Sequence, residues 1–233
     1  MEFVLPPHGT SSREAANETA QIPSDRKNSN SLRSLTAASP GRDGIFPIEN
    51  HSMKISFDSH RPVHYYIDDA TYFLTGHMNE GCDLLFNEER KQLFFDVLLN
   101  ILDDYSIELI AWVILINHYH IMFQLKKGID LGAFENRLHS VTATLLNRLD
   151  NAIGRNVWYQ YWDYCPKNEK DYYTHFNYIH HNPVKHHICK NQKQVEDYKF
   201  CTYKEWVDKM GEEWMLSCFE QYPIIDYTIH EYE

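Results

Sequence analysis

Long apolar runs are missing from this 233-residue chain. None approaches the ~18–20 consecutive apolar residues of a membrane-spanning helix, which excludes that kind of anchor. The opening residues MEFVLPPHG carry no basic segment and no apolar core, so they do not read as a secretory signal. Cysteine is sparse: Cys82, Cys165, Cys189, Cys201 and Cys218 are odd in number, widely spaced and form no CxxC pair. That pattern argues against a disulfide framework or a cysteine zinc site and fits a reducing cytoplasm. Gly128 and Gly154 belong to no phosphate-cradling pattern. Positive charge is also in deficit, with 22 Lys and Arg against 33 Asp and Glu and a net charge of −11. Affinity for nucleic acid rests largely on basic side chains that neutralise phosphates, so such a partner requires a local basic surface. Residues 126–209 are the stretch that could form it, with thirteen bases against ten acids, whereas residues 64–125 hold two against ten.

What is present falls into three parts. Residues 1–52 are rich in Ser, Asn, Pro and Ala and show neither helical nor strand periodicity. Burial there cannot offset the entropy of ordering, so a disordered leader is expected. Globular sequence begins at Met53, which is an alternative start for the native protein. Residues 53–210 read as the folded domain, and 211–233 as an acidic C-terminal tail with no base after position 209.

Within the domain, residues 65–75 are β-branched and aromatic around Asp68–Asp69 and read as a first strand or hairpin edge. Asn87 is placed to cap a helix with Glu88 and Glu89 in its first turn. Phe94, Val97, Leu98, Ile101, Leu102 and Tyr105 then follow the spacing of one helical face. Residues 109–116 form a nearly continuous apolar run, the pattern of a strand buried on both sides. After a tight connection near Asn117, residues 118–125 alternate. Phe134, Leu138, Val141, Leu145 and Leu149 mark a second helix ended by Gly154, and residues 158–164 a strongly aromatic strand. Asn168 caps a last main helix stopped near Asn182 by Pro183. The order β-α-β-β-α-β-α predicts an α+β, ferredoxin-like fold, with a mainly antiparallel sheet and helices packed on one face.

Two pieces carry chemistry. In His118-Tyr119-His120 the two imidazoles share one face of a strand and can chelate one ion. The motif taken alone is equally two exposed strand histidines. On the last helix Tyr172, Phe176, Ile179 and Pro183 form the core stripe. Asp171, His175, Tyr178 and Asn182 form a second stripe, with the Tyr178 hydroxyl expected at a cleft. Alone, that stripe reads first as an amphipathic rim, with Asn182 as a C-cap before proline. Together the pieces suit phosphodiester transfer, which needs an oxygen nucleophile and a hard cation with open positions. Two imidazoles and an amide oxygen would leave about half of an octahedral Mg²⁺ or Mn²⁺ shell open.

Four stretches in order, DDATYFLT, INHYHIMF, WYQYWDYCPKNEKDY and FNYIHHNPVKH, with a weaker FCTYKEW, resemble the REP-associated tyrosine transposases of the single-tyrosine HUH superfamily. The resemblance spans roughly residues 64–206. It implies an HUH catalytic domain with His118, His120 and Asn182 as ligands of Mg²⁺ or Mn²⁺ and Tyr178 as nucleophile. It further implies single-stranded DNA substrates with hairpins from palindromic repeats, cleaved through a 5′-phosphotyrosine. The protein would then act in the cytoplasm, on the nucleoid, and a homodimer is left open. Lys185, Lys190, Lys193, Arg155 and Trp158 are the candidate DNA contacts. Trp158, Tyr159, Tyr161 and Trp162 are all of a type that stacks on bases or packs a core. The chain departs from the family pattern at Leu115-Ile116, where Met-Pro is usual, and at His186-His187, where a glycine is usual. Pro166 and Lys167 replace the basic residue that usually follows the aromatic strand. These departures and the acidic balance motivate an alternative, a catalytically weakened nucleic-acid-binding protein on the same fold. A metal-dependent phosphodiesterase without a covalent tyrosine is a third reading.

Overall fold

The computed structural model describes residues 54–56 and 64–225. The leader expected at 1–52 and the alternative start at Met53 lie outside the described residues. Strands β1 (Lys54–Ser56) and β2 (His64–Tyr66) pair as a small antiparallel ribbon. The chain then turns at Asp68-Asp69, with Asp69 at φ 51, and enters β3 (Ala70–Met78). The predicted first element is therefore two strands separated by that break.

Helix α1 (Glu88–Asp104) starts where expected, the Asn87 side chain accepting from the Arg90 amide at 3.0 Å. Strands β4 (Glu108–Ile114) and β5 (His118–Leu125) form a hairpin closed by Leu115 N–H donating to the His118 carbonyl at 2.9 Å. Helix α2 (Leu131–Leu149) leads to β6 (Trp158–Tyr164), then to α3 (Glu169–Lys185). Asn168 caps α3, as its polar side chain predicted. Pro183 does not stop α3, which runs on to Lys185.

The main sheet has the order β4-β5-β3-β6 with every pair antiparallel. The β3-α1-β4 and β5-α2-β6 crossovers interleave to give the ferredoxin-like order, so the fold class matches the sequence reading. The placement of helices on one face does not. Helices α1 and α2 bury Phe94, Leu98, Phe134 and Leu138 against Tyr72, Leu74, Tyr119, Ile121 and Phe123 of the sheet. The opposite face is a second core. There Phe176 and Ile179 of α3 meet Phe73, Val113 and Met122, joined by Trp206 of α4 (Tyr203–Met210) and Met215 of α5 (Glu212–Gln221). Alternation along β3 and β5 offers apolar residues to both sides, and α3 to α5 cover the side left bare by the crossover helices.

The acidic tail expected from 211 is corrected as well. Its described part contains α5, which buries Met215 and Cys218, and Asn177 of α3 donates to the Cys218 and Tyr222 carbonyls at 2.8 Å each. Acid residues mark only the outward side of that helix. The stripe expected on α2 is shifted too. Val141 and Leu149 are exposed, while Thr142 and Leu146 are buried instead. All five cysteines are free, and no helix among the described residues is long and apolar enough to cross a membrane.

Candidate active site

Register on the second-core face gathers the chemistry. In the β3–β5 pairing His120 stands opposite Thr75 and His118 opposite His77. Residues directly opposite in an antiparallel pair project to the same side, so three imidazoles share one patch. The His118 and His120 rings lie 5.1 Å apart, and the His77 ring stacks on His118 at 5.0 Å. Helix α3 crosses this patch and brings Tyr178 to 5.2 Å from His120, edge to face. The exposed His186, just past the end of α3, adds a ring 4.7 Å from His118.

The two motif histidines are oriented through their Nδ1 atoms. His118 Nδ1 donates to Asn117 Oδ1 at 2.7 Å, and Asn117 is in turn held by Asp83 Oδ1 at 2.9 Å. His120 Nδ1 pairs with Thr75 Oγ1 at 2.7 Å. With the ring proton on Nδ1, each Nε2 keeps its lone pair, the form in which imidazole binds a metal. Burial, reinforced by the neighbouring imidazoles and Lys185, holds both histidines well below their ordinary pKa and therefore neutral. His77 is pushed down to about 4 by burial first, then by His186 and Lys185.

Two buried atoms on the elements that meet here have no hydrogen-bond partner, His120 Nε2 on β5 and Asn182 Oδ1 on α3. The Asn182 amide nitrogen donates to the Tyr178 carbonyl at 2.7 Å, one turn back, which fixes the amide plane and leaves the oxygen unbonded. Buried polar atoms are almost always satisfied, so bare electron-pair donors on two elements that pack together are of the kind that suits a cation. Among the described residues no set of three His, Cys, Asp or Glu converges in ligating geometry. Any third protein ligand beside the two histidines would be of another residue type, and an amide oxygen is one.

Tyr178 is 1% exposed, not at an open cleft as its stripe suggested. The face it borders is a core, with Phe73 at 6.2 Å and His120 against its ring. Its hydroxyl receives a hydrogen bond from Lys185 Nζ at 2.9 Å, and the ammonium also lies 4.8 Å from the ring centre. Lys185 was expected at a phosphate backbone, and instead it reaches the phenol. Lys190 and Lys193 are exposed, as a DNA contact requires. Arg155 bridges Asp150 at 2.7 Å and Asn147 at 2.9 Å, closing the end of α2. Trp158 leaves the list of base-stacking candidates. It is 7% exposed, stacks on His139 at 4.4 Å and donates to Thr142 at 2.9 Å inside the α1/α2 core.

The other candidate nucleophiles recede. Tyr173 stacks on Tyr222 at 4.8 Å and meets Tyr172 edge to face at 5.1 Å, so these rings pack with each other and with Tyr222. His175 bonds its own helix at Asp171, and His180 pairs with Thr202 at 3.0 Å. His77 was missed by sequence reasoning. Its only signal was its place in a strand that pairs with the HxH strand, and pairing is not local information.

Fold and site together define a ferredoxin-like domain with a His-x-His pair on its sheet and a helical tyrosine, Tyr178, packed against it. The chain matches the family model described as "Transposase IS200 like" over residues 83–182, from the loop before α1 to Asn182. It is 31% identical over 141 residues to the REP-associated tyrosine transposase of Escherichia coli (strain K12), an alignment that spans 60% of this chain and 79% of that protein. It also superposes on the solved structure of a REP-associated tyrosine transposase bound to a REP hairpin, with a TM-score of 0.53 and 28% identity, over 66% of this chain and 87% of the other. The chain belongs to the REP-associated tyrosine transposases, single-tyrosine DNA transposases of the HUH type.

Proposed function

We propose that this protein cleaves and rejoins single-stranded DNA beside hairpins formed by palindromic repeats, with Tyr178 as the nucleophile. The phenol oxygen attacks the phosphorus of a scissile phosphodiester, the bond from phosphorus to the 3′-oxygen breaks, and a 5′-phosphotyrosine and a free 3′-hydroxyl remain. Attack by a second 3′-hydroxyl reverses the step and joins the strands, so one tyrosine serves both directions. His118, His120 and Asn182 would hold Mg²⁺ or Mn²⁺. When bound, such an ion supplies charge neutralisation at the nonbridging oxygens and orients the phosphate.

The residues of the chain itself do the rest. Lys185 holds the Tyr178 hydroxyl in place and offers positive charge to the oxygen when it leaves as phenolate. Asp83 holds Asn117, which orients His118, and Thr75 orients His120 directly. His186 is exposed and Lys185 half-buried, so the DNA backbone would enter at this end of α3, with Lys190 and Lys193 beyond it. The protein would work in the cytoplasm, on the nucleoid.

The observation that carries this reading is the convergence of Tyr178, at 5.2 Å, on a His120 ring whose buried Nε2 has no partner. The test is incubation of labelled hairpin oligonucleotides with the protein and Mn²⁺, wild type beside Tyr178→Phe. A covalent protein–DNA adduct that disappears in Tyr178→Phe supports it. Cleavage that survives the substitution would point to simple metal-dependent hydrolysis, and binding without any adduct to a binding module.

A further inference from the structure

The aromatic strand β6 separates into residues committed to packing, Tyr159, which is exposed, and Trp162. Trp158 is stacked and hydrogen-bonded within the α1/α2 core. Tyr161 packs against the same core. Tyr164 donates to Asp171 at 2.8 Å and stacks on His175 at 4.8 Å. Trp162 differs. It is half-buried, it belongs to neither core, and among the described residues its indole makes no hydrogen bond and no ring contact. A large amphipathic ring held in this way is the kind of surface that binding partners use.

Its position says which partner. Trp162 stands directly opposite Thr75, and Thr75 stands opposite His120, whose Nδ1 it bonds. Val113, His120, Thr75 and Trp162 therefore form one row across the sheet, with side chains on the active-site face. Two strand spacings separate His120 from Trp162, roughly 10 Å, within the reach of a nucleotide or two from a phosphate at the histidines. Strand β6 is the edge strand of the four-stranded sheet, and the Trp162 ring is half-buried there.

We propose that Trp162 is the platform on which an unpaired base beside the scissile phosphate stacks, and so helps to set which bond is placed against Tyr178. This rests on the DNA-cleavage reading above. An unpaired base has a π-face to offer, whereas bases inside a hairpin stem are already stacked on their neighbours. The occupant is therefore the single-stranded flank, not the stem. Stacking tolerates any base, so Trp162 selects for an unpaired nucleotide at a fixed distance from the cleavage point and not for its identity.

The experiment measures binding in a Tyr178→Phe background, where turnover cannot intervene. The probes are a REP-type hairpin with a single-stranded oligothymidine flank, the same probe with one abasic site scanned along the flank, and the bare stem. Trp162→Ala is expected to weaken binding of the flanked probe roughly 10- to 100-fold and to leave the bare stem unchanged, whereas Trp162→Phe keeps most of the affinity. At one flank position an abasic site is expected to impose a similar loss on the Trp162 protein and none on Trp162→Ala. Equal weakening on the bare stem, or losses that multiply at every flank position, would overturn the proposal. Trp162→Phe and a thermal melt guard against misfolding. Adduct formation by the protein that retains Tyr178 is scored separately. Coupling between Trp162 and a flank base supports the platform whether or not an adduct forms, and an adduct without coupling removes the platform alone.

Discussion

Replacing His187 by glycine is expected to stabilise this protein by about 0.5–1 kcal/mol. Helix α3 ends in a reversal in which His187 N–H donates to the Val184 carbonyl at 3.0 Å and Ile188 N–H to the Pro183 carbonyl at 2.9 Å. That double bond pattern requires a left-handed residue between them, and His187 adopts it at φ 58. A residue with a Cβ incurs ~1–2 kcal/mol in this conformation, which glycine avoids. Part of the gain is offset, because glycine has more freedom to lose from the unfolded chain, by about 0.5–1 kcal/mol. The His187 side chain is exposed and no hydrogen bond from it is lost among the described residues. For a domain of this size the net gain corresponds to a rise in melting temperature of about 1–4 °C. Thermal and urea unfolding of wild type, His187→Gly and His187→Ala measure it, the alanine variant being expected to gain nothing. A glycine variant no more stable than wild type would refute the inferred strain. The position also matters for chemistry, since the turn follows directly on the segment that carries Asn182 and Lys185. His187 is thus a local conformational cost, His186 before it having an ordinary φ of −93, and the helix end stays intact.

Three further outcomes are expected. Gly76→Ala would drive a Cβ to within 2.4 Å of the Tyr119 ring, which cannot step aside because His139 holds its hydroxyl at 2.8 Å and Glu135 holds His139. A loss of about 1–3 kcal/mol in urea unfolding is expected, and a neutral result would mean that the β3–β5 contact is slack. Asp171 is raised by burial, but bonds from His175, the Lys167 amide and Tyr164 outweigh that and hold its carboxyl near 2. A depressed carboxylate stabilises the fold above its ordinary value of 3.8 and loses that contribution as pH falls toward 2. Wild type is therefore expected to converge on Asp171→Asn in stability between pH 4 and 2, and an equal gap at pH 7 and pH 2 would count against the assignment. His118→Ala, or chelation of divalent ions, is expected to lower adduct formation by ~10²–10³ at limiting metal while far-UV circular dichroism stays native, and undiminished adduct would remove His118 from the site. His120→Ala is a poorer probe. Its ring is fully buried against Phe73 and Tyr178, so truncation also opens a cavity and lowers stability.

The local signals were the readable ones. The α1 stripe, the Asn87 and Asn168 caps, the alternation that puts His118 and His120 on one side, and the i, i+4 relation of Tyr178 to Asn182 all follow from backbone periodicity. Periodicity is a property of neighbours in the chain, so one sequence suffices to see it. Sequence likewise determined the order of elements and, through four short motifs, the family. Tertiary structure decided whatever depends on which surfaces meet. The imidazole face of β5 proved to be a second core and not an open face, because α3, α4 and α5 return to cover it. Tyr178 is consequently buried, Lys185 turns inward to the phenol, and His77 joins the cluster by strand register across forty-one positions, from 77 to 118. Trp158 and Trp162 look alike in the sequence. Only packing separates a ring enclosed by Phe94, Tyr119 and His139 from one left beside the active site, since a strand's alternation says that two sides differ but not which of them another element will cover.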